Sequence, residues 1–187
     1  GATTRTTFDE VAEASRRFAN VLKADGLARG DRVAVFLSQS LELPIAHLAA
    51  FRSGMISIPL FALFGEDALE FRLSNSEARA IVTDESGWEK LAKIRDRLPA
   101  LNNIYVIGDR APAGTKAFWS SLKAASPDFT TVDTSRDDPA LIIYTSGTTG
   151  NPKGALHAHR VVLGHLPNVE MCHNFLPRPG DLMWTPA

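Results

Sequence analysis

Short apolar runs alternate with segments of helical periodicity along most of this 187-residue chain, and this alternation constrains its fold more than any other feature. The predicted strands cover residues 32–37, 56–59, 80–84, 103–107 and 140–143, and the predicted helices cover residues 8–22, 42–52, 66–73, 88–98 and 116–124. Strands at this spacing, separated by helices, indicate parallel crossover units. The sequence therefore predicts an α/β fold, with a layered sheet and crossover helices.

The two ends of the chain carry different helix signals. Thr7 and Glu10 have the spacing of a capping box, which predicts that the first helix starts at Phe8. Near the other end, a short strand is predicted at residues 155–157 and a helix from about His159. Pro167 inside that last pattern predicts a kink or a break, because proline lacks a backbone donor and clashes with the preceding turn.

The predicted strand at 140–143 leads directly into a loop of small and polar residues. The segment reads Tyr144-Thr145-Ser146-Gly147-Thr148-Thr149-Gly150-Asn151-Pro152-Lys153-Gly154. Glycines let the backbone come close to a ligand, and successive N–H groups in such a turn form a concave anion site to which hydroxyl groups add donors. Ligands of open α/β sheets bind beyond the carboxyl ends of strands, where this loop is expected to leave a buried strand. The loop is therefore predicted to hold phosphate, with Lys153 supplying positive charge.

The order of residues around Lys153 does not fit two other motifs. The P-loop of nucleotide triphosphatases requires G-x-x-x-x-G-K-[ST], but Pro152 precedes this lysine and Gly154 follows it. A nucleophile elbow requires a glycine two residues before the serine, and Ser146 has a tyrosine there. A phosphate-loop kinase or triphosphatase stays as a rival hypothesis, although its magnesium-binding Asp should follow the loop, whereas the nearest candidate, Asp109, precedes it.

Residues 145–154 resemble the T-S-G-T-T-G-x-P-K-G signature of the adenylate-forming (AMP-dependent synthetase/ligase) superfamily, which contains acyl-CoA synthetases, adenylation domains and luciferases. Residues 7–59 are similar to the opening segment of that family. Residues 59–65 and 181–187 resemble acyl-CoA synthetases of the acetate to medium-chain type. The resemblance implies that residues 1–187 are the N-terminal portion of an AMP-binding (adenylation) domain, without the remainder of the large domain and the C-terminal domain.

The resemblance also implies a reaction, that of an ATP-dependent carboxylate–CoA ligase. Its substrates would be a carboxylic acid, ATP with Mg²⁺, and coenzyme A, and it would form an acyl adenylate before the thioester. The residues implied to bind the β- and γ-phosphates are Thr145, Ser146, Gly147, Thr148, Thr149 and Gly150. Lys153 is implied to offset charge on the departing pyrophosphate. No residue of this chain matches the family's catalytic Glu and Lys, which are expected beyond Ala187, so the chain alone is expected to be inactive.

Two further hypotheses stay open. One is another adenylate-forming enzyme, such as an aryl-acid ligase or a peptide-synthetase adenylation domain, because the family's acyl pocket lies mostly beyond Ala187. The other is a non-catalytic scaffold fragment. The sequence does not identify the acyl group.

Composition limits the expected partners and compartment. A formal net charge of −1 gives no electrostatic reason to expect nucleic acid or an anionic membrane as a partner. The single cysteine, Cys172, suits a reducing compartment, and the start of the chain resembles neither a signal peptide nor a transit peptide, so a cytoplasmic location is expected. The apolar residues 182–184 are expected to be exposed, which predicts that this chain self-associates.

The histidines near the loop are expected to be solvated or hydrogen-bonded, because no carboxylate or thiol lies at ligand spacing. They are His157, His159, His165 and His173. No metal site is predicted. His159, at the position of the family's helix-start histidine, is a candidate for indirect support of the phosphate site. Arg16 and Arg17 are predicted to lie on a solvated helix face.

Overall fold

The computed structural model describes residues 4–108, 110–145, 150–173, 175 and 178–181. The helices are α1 (Phe8–Ala24), α2 (Glu42–Arg52), α3 (Glu66–Asn75), α4 (Glu85–Ile94), α5 (Phe118–Ala124) and α6 (Arg160–Cys172). The strands are β1 (Arg32–Phe36), β2 (Ile56–Leu60), β3 (Ala80–Thr83), β4 (Asn103–Val106), β5 (Lys116–Ala117), β6 (Pro139–Thr145) and β7 (Lys153–Ala158). A 3₁₀ turn, Arg95–Arg97, extends α4. No helix in this described part of the chain is both long and apolar enough to cross a membrane.

The strands within the described residues form one sheet in the order β5-β4-β3-β1-β2-β6-β7. Neighbouring strands run parallel, except that β6 and β7 form an antiparallel hairpin. The predicted α/β fold with crossover helices is confirmed. Because the parallel strands share one direction, β6 ends at the same edge of the sheet as β1, β2, β3 and β4.

Helices cover both faces of the sheet. In β1, Val33 and Val35 belong to one buried cluster, whereas Ala34 and Phe36 belong to the other, as the alternation of side chains along a strand requires. The first cluster contains residues of α1, α2 and α5, and the second contains residues of α3 and α4. The central parallel strands are therefore buried on both sides, which is the usual environment of a parallel sheet.

The predicted start of α1 is confirmed by a complete capping box. The Thr7 backbone N–H donates to Glu10 Oε2 at 2.6 Å, and the Glu10 N–H donates to Thr7 Oγ1 at 3.2 Å. These bonds satisfy two of the donors that a helix leaves free at its N-terminus.

Two predicted helix boundaries were wrong. α4 begins at Glu85 rather than at residue 88, because the Asp84 carboxylate caps it by accepting from the Gly87 N–H at 2.8 Å. Lys116 and Ala117, predicted to open a helix, instead form β5 and pair with the outer edge of β4. Pairing satisfies backbone groups that β4 would otherwise leave free at that edge.

α6 continues through Pro167, so the chain does not break there. A proline removes one hydrogen bond of the helix, at the carbonyl four residues earlier. No residue of α6 is buried in the described structure, so that carbonyl can bond to water instead.

The polar segment at residues 125–138, which joins α5 to β6, is attached to α1 by arginine side chains. Arg16 Nε donates to the Pro127 carbonyl at 3.1 Å, and Arg17 Nη1 donates to the Ala125 carbonyl at 2.6 Å. Both arginines are partly buried, so the prediction of a solvated helix face was wrong for them. These bonds help to fix the path of the chain into β6.

Candidate phosphate-binding site

The predicted phosphate loop connects the two strands of the β6–β7 hairpin. Thr145 and Lys153 are paired across the hairpin, so the loop comprises residues 146–152 and these two residues stand at its base. Of the residues predicted to bind phosphate, Thr145, Gly150 and Lys153 are described. Those outside the described residues are Ser146, Gly147, Thr148 and Thr149.

The hairpin places the loop at the edge of the sheet where ligands of α/β proteins bind. β6 runs parallel to β2, with Leu141 in register with Ser57. Thr145, the last residue of β6, therefore lies at the edge of the sheet where the parallel strands have their carboxyl ends. Binding beyond this edge is the general rule for open α/β sheets. The position agrees with the prediction made from the sequence.

Two positions of the hairpin favour glycine, Gly150 because of its backbone conformation and Gly154 because a side chain has no space there. Gly150 has a φ of 100°, a left-handed backbone conformation that side-chain-bearing residues rarely adopt. At Gly154, an added Cβ would lie 3.0 Å from Ile142 Cγ2 and 3.3 Å from two ring carbons of Tyr144. Gly150 therefore allows the loop to turn, and Gly154 allows its returning strand to pass under the Tyr144 ring.

Thr145 and Lys153 are both exposed. Within the described residues, no carboxylate forms an ion pair with Lys153. An ammonium group in this position can approach an anion at the loop without first breaking such a pair. The base of the loop therefore combines an exposed hydroxyl with an exposed positive charge.

Tyr144, one residue before the loop, is anchored to α3, and sequence reasoning missed this contact. Its hydroxyl donates to Asn75 Oδ1 at 2.7 Å and lies 3.2 Å from the Arg72 carbonyl oxygen. These partners are 69 and 72 residues away along the chain, so no local pattern could have revealed them. The strand that delivers the loop is thus fixed to a neighbouring helix.

His159 lies at the opposite end of the hairpin from the loop. It follows β7, whose last residue, Ala158, is paired with Pro139 at the start of β6. Thr145 is six residue steps along β6 from that end, a distance of about 20 Å. The His159 ring instead packs edge-on against Phe51 of α2, with centroids 6.1 Å apart. The expectation that His159 supports the phosphate site has no structural basis in these contacts.

Two other expectations concern burial and metals. β6 was predicted to be a buried strand, but only Ala140 is buried, because β6 lies one strand from the sheet edge and its outer neighbour β7 is itself largely exposed. The apolar residues 182–184, expected to be exposed, lie outside the described residues. In the described part of the chain, no three His, Cys, Asp or Glu residues come together to hold a metal ion.

The described structure defines an α/β domain with a hairpin loop at the carboxyl edge of its sheet, and comparison with known proteins gives the family. A family model described as "AMP-binding enzyme" matches residues 1–187. The chain therefore belongs to the AMP-binding enzyme family.

Several curated relatives are CoA synthetases. The chain is 40% identical over 161 residues to the acetyl-coenzyme A synthetase of Bacillus subtilis. The aligned residues cover 84% of this chain and 28% of that relative. It is 35% identical over 157 residues to the mitochondrial acyl-coenzyme A synthetase ACSM1 of Homo sapiens. This alignment covers 83% of this chain and 27% of that relative. The chain thus spans about three tenths of the length of these relatives.

Solved structures with the same fold include a CoA ligase and an ATP-bound protein. The anthranilate CoA ligase AuaEII in complex with anthranoyl-AMP has a TM-score of 0.84 at 27% identity, over 89% of this chain and 32% of that one. The ATP-bound MatB of Rhodopseudomonas palustris has a TM-score of 0.78 at 32% identity, over 91% of this chain and 33% of that one. One of these relatives holds an acyl adenylate, and the other holds ATP.

Proposed function

We propose that this chain supplies the ATP phosphate-binding part of an ATP-dependent carboxylate–CoA ligase that releases AMP and pyrophosphate. The observation that carries the proposal is the hairpin loop at the carboxyl edge of the sheet, with Lys153 directly across from Thr145. The family of the chain and the CoA synthetases among its relatives support the same reaction.

In the proposed reaction, a carboxylate oxygen attacks the α-phosphorus of ATP and pyrophosphate leaves. The sulfur of coenzyme A then attacks the carbonyl carbon of the acyl adenylate, and AMP leaves. Backbone N–H groups and hydroxyls of residues 145–150 hold the β- and γ-phosphates, and Lys153 stabilises the charge that develops on the departing pyrophosphate. Mg²⁺ accompanies ATP and neutralises part of its charge.

The rest of the reaction depends on residues outside this chain. We infer that the glutamate and lysine which complete the site belong to further parts of a protein of the relatives' length, and that the enzyme works in the cytoplasm. The proposed acids are of the acetate to medium-chain type, because residues 59–65 resemble such synthetases. An aryl-acid ligase is the second candidate, because the anthranilate ligase has a TM-score of 0.84 to this chain.

The nucleotide product tests the proposal. The full-length protein that carries this chain is incubated with ATP, Mg²⁺, coenzyme A and a panel of acids that includes acetate, butyrate, octanoate and benzoate. We expect AMP, pyrophosphate and an acyl-CoA in equal amounts with at least one aliphatic acid. Formation of ADP, or of no product with any acid, would contradict the proposal, and turnover of benzoate alone would favour the aryl-acid ligase.

A further inference from the structure

The ring of Tyr144 packs against α3. The centroids of the Tyr144 and Phe71 rings lie 6.5 Å apart in an edge-on arrangement. The guanidinium carbon of Arg72 lies 5.6 Å from the centroid of the Tyr144 ring. The hydroxyl donates to Asn75 Oδ1, as described above, at 2.7 Å. A tyrosine hydroxyl has an ordinary pKa of about 10 and so carries its proton at neutral pH. Burial raises the pKa of Tyr144 further, and the hydroxyl remains a donor. Packing and a hydrogen bond therefore attach the last turn of α3 to the end of β6.

The helix side of this contact is itself fixed. Arg72 is only 8% exposed, and its guanidinium carbon lies 4.0 Å above the Phe64 ring. Its Nη1 donates to the Ala68 carbonyl at 2.8 Å. A buried cation held over an aromatic ring is costly to move, because movement loses both the packing and the cation–π attraction. Tyr144 is thus anchored to a buried and packed part of α3.

The opposite strand is shaped around the same ring. Gly154 is paired directly with Tyr144, and side chains of a directly opposed pair share one face of the sheet. The space that a side chain at 154 would fill is taken by Ile142 and by the Tyr144 ring, at 3.0 and 3.3 Å. The ring therefore rests on the backbone of the returning strand, one residue after Lys153.

We propose that Tyr144 is a positioning residue for Thr145 and Lys153 at the base of the phosphate loop and that Gly154 accommodates it. This inference rests on the proposed function of the loop. The paired residues Tyr144 and Gly154 adjoin Thr145 and Lys153. The contact of Tyr144 with α3 therefore holds both residues at the base of the loop. When Thr145 and Lys153 are already held in place, less conformational freedom is lost as they contact phosphate, and ATP binding is strengthened accordingly.

The two half-reactions separate this role from a general role in stability. The β- and γ-phosphates take part only in adenylate formation, because pyrophosphate has left before coenzyme A attacks. A positioning role of Tyr144 therefore affects adenylate formation and spares thioester formation from a supplied acyl adenylate. A substitution that merely destabilises the fold lowers both rates together.

The test uses Tyr144→Phe in the full-length protein, which removes the hydroxyl and keeps the ring. We expect kcat/KM for ATP in carboxylate-dependent pyrophosphate exchange to fall by about 3- to 10-fold, mostly through KM, as for the loss of one hydrogen bond. The rate of thioester formation from acyl adenylate should not change. Asn75→Ala removes the acceptor and should give the same pattern, with a double variant no worse than the poorer single variant.

The matched control is Tyr105→Phe, because the chain contains two tyrosines and Tyr105 donates to Asp25 Oδ2 at 2.5 Å on the other half of the sheet. This variant should not change the ratio of the two half-reaction rates. Unchanged exchange in Tyr144→Phe, or an equal fall in both half-reactions, would overturn the inference. If the wild-type protein exchanges no pyrophosphate with any acid, the proposed function fails. Equal ATP affinity of the wild type and Tyr144→Phe, measured by titration calorimetry, would then overturn the positioning role separately.

Discussion

The imidazole Nδ1 of His47 lies 2.6 Å from the hydroxyl oxygen of Ser57, so a partly buried polar pair joins α2 to β2. The His47 ring also stacks on Phe51, with centroids 6.5 Å apart. Burial lowers the pKa of His47 to about 4. Ser57 is fully buried and stands in register with Leu141, so the pair lies next to β6, the strand that leads to the loop.

Acidification is expected to destabilise the fold through His47. In the unfolded chain its pKa is about 6.5, so between pH ~6.5 and pH ~4 the unfolded state binds a proton that the folded state excludes. The contribution of neutral His47 to the free energy of unfolding is complete above pH ~6.5. It is lost as the pH falls through ~4, and the total loss is up to about 3 kcal/mol. Urea unfolding at pH 7.5 and pH 4.5 should show a smaller pH-dependent loss in His47→Gln than in the wild type. Equal losses in the two proteins would contradict this role.

Gly87, in the first turn of α4, is expected to tolerate no side chain. An added Cβ would lie 1.9 Å from Thr83 Oγ1 and 2.8 Å from Phe36 Cδ1, where two strands end. Gly87→Ala should therefore destabilise the protein by about 1–3 kcal/mol, the usual cost of overpacking.

The matched control for Gly87 is Gly164→Ala in α6, where an added Cβ meets nothing within 4 Å. Alanine is the better helix former, so this second change should be neutral or stabilise by up to about 1 kcal/mol. Thermal unfolding of both variants tests the pair. A Gly87→Ala variant as stable as the wild type would contradict the predicted overpacking against Thr83 and Phe36.

The exposed side of α6 is expected to make the isolated 187-residue chain associate. Val162, Leu163 and Leu166 are 50%, 67% and 50% exposed, and their spacing puts them on one side of the helix. Leu163→Gln combined with Leu166→Gln should shift light-scattering masses toward the monomer. Leu63→Gln, at a residue 79% exposed elsewhere, is the control. A wild-type chain that is monomeric at every concentration would exclude the prediction.

The sequence alone predicted those features of the fold that depend on residues close together in the chain. The capping box of Thr7 and Glu10 predicted the start of α1, and the alternation of strands and helices predicted the fold, because both depend on residues close together in the chain. The position of the phosphate loop at a strand end followed in the same way. Asp84 is an N-cap residue type, so a local signal for the start of α4 is present in the sequence, although the prediction placed Asp84 in the preceding strand.

Other features depend on contacts that are distant in the sequence. β5 has two residues and no periodicity, and it forms only because β4 offers a free edge. The apolar run in β6 predicted burial, but burial depends on which elements cover a strand. The anchor between Tyr144 and Asn75 joins residues 69 apart, so only the folded structure could reveal it.

The most direct test of the central claim concerns Lys153, across the hairpin from Thr145. Lys153→Ala in the full-length protein should lower kcat/KM in carboxylate-dependent pyrophosphate exchange by about 100-fold, the scale of losing one charged stabiliser of a developing anion. Lys123→Ala on α5 removes an exposed lysine from another part of the chain and should leave the exchange unchanged. Pyrophosphate exchange in Lys153→Ala equal to that of the wild type would contradict the proposal that this loop holds the phosphates of ATP.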